Sequence, residues 1–176
     1  MNIRAFLVLT CLWSACAQSE LSIQITQGVD NPIPIAIVPF AWEGGGVLSE
    51  DVDQIVMDDL QQVGEFQALS PGNMLSLPNE EREVFFRDWR VLAQDYLLVG
   101  KISRAPGSQL VQVQYEFFDI NRELKLAGEI LTGSVTQLRD IGHEISNVVF
   151  ELVTGARGAF TTQILYIVSE QYADGQ

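Results

Sequence analysis

The chain carries one histidine and two cysteines, so few positions could host nucleophilic or metal chemistry. His143 lies between Ile141 and Ile145 in a run of helical periodicity. A lone histidine cannot build a zinc site, and no base partner for it is evident from its neighbours. Cys11 and Cys16 both fall in an apolar leader, so the remainder of the chain can form neither a disulfide nor a thiolate site. Ser134 and Ser146 lack the elbow or lysine motif that would activate a hydroxyl. Gly44-Gly45-Gly46 stands where phosphate loops occur, but there is no third glycine at fingerprint spacing and no Gly-Lys-Ser/Thr. Glu50 and Asp51 also occupy the helix start whose amides a phosphate would need. The acidic run Glu50, Asp51, Asp53, Asp58 and Asp59 spreads along a helix instead of around a glycine-turned calcium loop, which predicts a solvated helix face. No constellation supports an enzyme, a cofactor or a metal centre.

The elements that would position these residues follow from the apolar periodicity. "ELSIQIT" alternates, with Leu21, Ile23 and Ile25 on one face and Ser22, Gln24 and Thr26 on the other. Gly28 and the Asp30-Asn31-Pro32 turn separate it from "IPIAIVPF", a continuous apolar run that predicts a strand buried on both faces. Pro34 and Pro39 suit the margins of that strand. A helix follows, capped by Ser49 and stopped by Gly64, with Val52, Ile55, Val56, Leu60 and Val63 inward. "EFQALS" predicts a short strand. "EREVFFRDWRVLA" predicts a second helix, with Val84, Phe85, Trp89, Val91 and Leu92 mostly inward. "YLLVGKI", "QLVQVQYEFFD" and "LKLAGEILTGSV" predict three further strands, the last two with one wetter face. A final helix over 137–153 buries Leu138, Ile141, Ile145, Val148, Val149 and Leu152. The order β-α-β-α-β-β-β-α predicts an α/β fold, a mixed β-sheet flanked by helices. Beyond Gly155 and Gly158 a strand-like run over 160–168 has nothing after it to pair with.

With 176 residues and 47% hydrophobic content the chain can bury one domain's core. Its formal net charge of −13 disfavours nucleic acid and anionic lipid surfaces. Arg4, the apolar run from Ala5 to Trp13 and Ala15-Cys16-Ala17 predict a secretory signal over 1–17, too short to span a bilayer. "WSAC" loosely resembles a lipoprotein box with Cys16 as the lipidated residue, but Trp13 stands where such boxes carry leucine. Cleavage after Ala17, with no direct membrane insertion, is the expectation.

"SIQITQGVDNPIPIAIVPF" and "LTGARGAFTTQILYIV" resemble the mature N-terminus and the interdomain junction of the TolB proteins of Gram-negative bacteria, and "YLLVGKI" and "FELVTG" fit the same family between them. The resemblance runs over essentially the whole chain, and Gln163, where the family usually has arginine, is a mild departure. It implies a partner-binding segment over 18–32, an α/β domain over 33–157, and a stub over 158–176 that enters a β-propeller absent here. It implies a non-enzymatic, periplasmic component of the Tol-Pal system, serving outer-membrane integrity and invagination during division. The TolA C-terminal domain would be bound through Glu20, Leu21, Ser22, Ile23, Gln24, Ile25, Thr26 and Asp30, and Pal through the missing propeller. The alternative is a fragment of an exported enzyme or solute-binding protein whose active residues lie beyond Gln176.

Overall fold

In the computed structural model, residues 31–161 are described. Nine elements follow in chain order: β1 (Ile33–Ile37), β2 (Ala41–Trp42), α1 (Val52–Gln62), β3 (Phe66–Ala68), α2 (Phe86–Val91), β4 (Tyr96–Arg104), β5 (Val111–Asp119), β6 (Leu124–Gly133) and α3 (Leu138–Thr154). The main path of the sheet is β3-β1-β4-β5-β6. β1 runs parallel to β3 and β4, while β4, β5 and β6 form an antiparallel meander. β2 also runs parallel to β4 and extends the β1 side of the ladder past Pro39. The mixed α/β sheet expected from the sequence is the observed architecture.

Each face of the sheet has its own core, which is why the β1 run is apolar without alternation. Ile35 and Ile37 point to the α1 and α3 side, together with Leu98, Ile102, Val113, Tyr115 and Phe117. Ala36 and Val38 point to the other side, where Leu97, Val99, Phe118 and Ile120 surround the indole of Trp89. Phe117 and Phe118 are therefore both buried, one in each core, and β5 loses its wet face at that end. A register irregularity between them re-aims β6 across the same stretch.

Several inward assignments do not hold. α1 begins at Val52 with Asp51 as its cap residue, so Ser49 lies outside the helix and does not cap it. Val63 is the C-cap residue and is exposed, because Gly64 turns left-handed (φ +78) directly after it. The second helix shrinks to six residues behind a 3-10 turn over Glu81–Glu83. Its inward side carries Phe86, Trp89 and Leu92, three residues apart, so Phe85 (66% exposed) and Val91 (75% exposed) face outward. On α3, Val153 lies four residues after Val149 and takes the inward place, leaving Leu152 exposed. Phe160 and Thr161, expected at the start of a strand, are in a turn.

Candidate functional site

Glu20, Leu21, Ser22, Ile23, Gln24, Ile25, Thr26 and Asp30 lie outside the described residues, as do the signal over 1–17 and the run from residue 162 onward. The described chain begins at Asn31 and Pro32 and enters β1 at Ile33.

Among the described residues, the arrangement closest to a chemical site lies between α1 and α3. His143 Nδ1 stands 2.8 Å from Asp59 Oδ2, and both side chains are largely shielded from solvent. This corrects the expectation of a histidine without a base partner. The pair was legible in principle: Asp59 sits three and four residues after Val56 and Ile55, so it interrupts the inward stripe of α1. It faces a cavity of about 610 Å³ lined also by Gln62, Val63, Phe150 and the segment from Arg157 to Phe160. Among the described residues Asp59 is the hydrogen-bond partner of the His143 ring. The pair's physical role is to satisfy two polar groups at a helix–helix contact.

The remaining candidates resolve into structural roles. Asp53 Oδ1 accepts the Phe40 backbone N–H at 3.1 Å. Burial raises its carboxyl above the usual aspartate value, against the lowering effect of that hydrogen bond. Arg139 pairs with Glu50 at 2.9 Å, and Gln54 donates to Asp58 at 2.7 Å. The acidic run is thus a solvated face only in part. Among the described residues no group of three or more His, Cys, Asp or Glu side chains could hold a metal ion.

The glycine loop folds over Trp42, whose indole N–H donates to the Gly46 carbonyl at 3.0 Å. A Cβ on Gly44 would stand 2.0 Å from that ring, so the loop's glycine serves close approach to an aromatic face, not to a phosphate. Ser134 forms a capping box with Gln137, and Ser146 is buried with its hydroxyl on the Gly142 carbonyl at 3.0 Å. On the far face of the sheet Lys125 bridges Glu81 at 2.6 Å and Glu116 at 3.2 Å, and these hydrogen bonds raise its ammonium above the usual lysine value. No helix among the described residues is long and apolar enough to cross a membrane.

Residues 21–126 match the family model described as the TolB amino-terminal domain. The chain is 42% identical, over 94% of its length, to the Tol-Pal system protein TolB of Pseudomonas fluorescens (strain SBW25). It is 40% identical, over 97% of its length, to the protein of the same name from Hahella chejuensis. It spans only 38% and 40% of those two relatives' own lengths. Among solved structures it is similar to TolB from Acinetobacter baumannii, with a TM-score of 0.57 and 26% identity, covering 73% of this chain and 30% of that one. The chain belongs to the TolB amino-terminal domain family.

Proposed function

We propose that this chain is a non-enzymatic component of the Tol-Pal system in the periplasm and that it docks the C-terminal domain of TolA through the segment over 18–32. The observation that carries this reading is the identity of about 40% to Tol-Pal system proteins across nearly the whole chain. Linkage to Pal would belong to the propeller that follows in the longer family members, reached through residues 158–176. Signal cleavage after Ala17 would deliver the segment to the periplasm with Gln18 at its start.

The segment's alternation suits strand addition, in which backbone groups supply affinity and alternate side chains supply register. Leu21, Ile23 and Ile25 would be buried on the partner, while Glu20, Ser22, Gln24, Thr26 and Asp30 supply polar contacts. A segment that orders on binding gives up conformational entropy, so a modest affinity is expected. Calorimetric titration of the TolA C-terminal domain into the mature chain tests this. Ile23→Asp is expected to weaken binding by roughly tenfold or more, and Gln24→Asp by little, since placing a charge on a buried face costs far more than on a wet one. Equal effects of the two substitutions, or binding that survives removal of residues 18–30, would end the proposal.

A further inference from the structure

We propose that residues 155–161 form a strap that closes on α3 through Asn147 and opens as a unit, setting where the chain leaves the domain and roofing the cavity beside Asp59 and His143. α3 ends at Gly155, which is left-handed (φ +74) and donates its amide to the Glu151 carbonyl at 2.9 Å. The Thr154 hydroxyl donates to the Phe150 carbonyl at 2.8 Å and accepts the Ala156 amide at 3.1 Å, which begins the reversal. The chain then runs back along the helix to Asn147, which precedes Thr154 by about two turns, or roughly 10 Å of helix.

Asn147 grips the returning chain at both ends of its amide. Its Oδ1 accepts the Phe160 backbone N–H at 3.1 Å, and its Nδ2 donates to the Thr161 hydroxyl at 3.4 Å. Gly158 packs directly on the same residue: a Cβ there would stand 2.4 Å from Asn147 Oδ1 and 2.9 Å from its Cα. The Phe160 ring then meets Phe150 edge-on at 5.7 Å, and Phe150 meets Phe66 of β3 at 6.2 Å. A helix side chain, a glycine contact and an aromatic pair are among the contacts that hold the strap. Most of its residues are exposed, and Phe160 is the one packed against the core on the α1 and α3 side. Such a segment can open with little loss of the domain's own packing.

The consequence is geometric. A closed strap releases the chain beside the middle of α3 and not from its end, and it forms one wall of the cavity with Arg157, Gly158, Ala159 and Phe160. An open strap uncovers Phe150 and the His143–Asp59 pair. The proposal stands apart from TolA binding, because it is tested on the chain alone.

Amide hydrogen exchange in the full chain is the test, with the Phe160 amide as reporter and the Leu98 amide of β4 as the monitor of global unfolding. Asn147→Ala removes both hydrogen bonds and is expected to speed Phe160 exchange by about tenfold, with Leu98 unchanged. Gly158→Ala attacks the same grip from the other side and is expected to do likewise. Asn147→Asp keeps an acceptor for the Phe160 amide and is expected to stay near the parent. Trypsin cleavage after the exposed Arg157 is expected to accelerate in Asn147→Ala in parallel. Unchanged Phe160 exchange in both Asn147→Ala and Gly158→Ala would overturn the proposal. So would a rise at Phe160 matched by an equal rise at Leu98, since the strap would then open only with the domain.

Discussion

Tyr115 carries a phenol that the fold holds well above its ordinary value. It is buried in the middle of β5, and burial, with the Glu129 and Glu144 carboxylates adding to it, pushes its phenol up to about 12 from an ordinary 10.0. Between those pH values the unfolded chain has lost the phenolic proton and the native chain still holds it. Native protein therefore binds more protons there, and stability falls as pH rises from 10 to 12. The contribution is fully present below pH 10, and its size is on the order of 2 kcal/mol. Tyr115→Phe is expected to flatten the decline of melting temperature across that window. Tyr96, raised in the same direction by burial and then by Asp119 and Asp95, and Lys125, raised by its hydrogen bonds to Glu81 and Glu116, should contribute to the remaining slope. Identical slopes in parent and variant would mean the Tyr115 phenol titrates alike in both states. His143 and Asp59 show the complementary lesson: two polar side chains can satisfy each other at a helix contact.

At the scale of elements, the closest approach in the helix layer is where α3 crosses α1. A Cβ on Gly142 would stand 2.8 Å from Ile55 Cγ2 and 3.0 Å from Ile55 Cβ. Alanine in place of glycine inside a helix ordinarily gains about 0.5–1 kcal/mol. Here the Cβ of Ile55 is fixed to its backbone, so the two helices must move apart. Gly142→Ala is therefore expected to lose about 1–2 kcal/mol net in urea unfolding, the overpacking cost exceeding the propensity gain. A variant more stable than the parent would show that the pair has slack. The same contact explains why Ser146, one turn on, can be fully buried: its hydroxyl returns to the Gly142 carbonyl, so no polar group is left open.

The domain over residues 31–161 rests on two cores of unequal size, and the smaller one depends on a single indole. Trp89 is 1% exposed among Ala36, Val38, Leu97, Val99, Phe118 and Ile120, and its indole nitrogen has no hydrogen-bond partner among the described residues. Trp89→Ala is expected to cost about 3–5 kcal/mol, the range for emptying an aromatic site. Trp89→Phe should cost much less, about 1 kcal/mol, because the loss of ring volume is partly offset by removing an unpaired buried donor. Urea denaturation followed by far-UV circular dichroism compares the two. Equal costs would indicate that the indole nitrogen is satisfied in solution. A single cooperative transition in both variants is expected, since β1 and β4 contribute side chains to both cores.

Much of this architecture was legible from periodicity. "IPIAIVPF" and "YLLVGKI" declared strands buried on both sides because an unbroken apolar run has no face to leave in water, and Gly64 marked the helix end it forms. The family, too, was legible in local motifs at either end of the domain. What pattern could not settle was every choice made by a neighbour distant in sequence. Phe85 and Phe86 are chemically alike, and only the position of Phe118, edge-on to Phe86 at 5.9 Å, decides which turns inward. Asp59 and His143 are 84 residues apart, so their meeting exists only once α1 and α3 share a face of the sheet. Asn147 and Phe160 likewise meet only because a left-handed Gly155 sends the chain back along its own helix. Periodicity reports which face of an element is apolar, whereas the partner of each polar side chain is set by long-range packing that no local window contains.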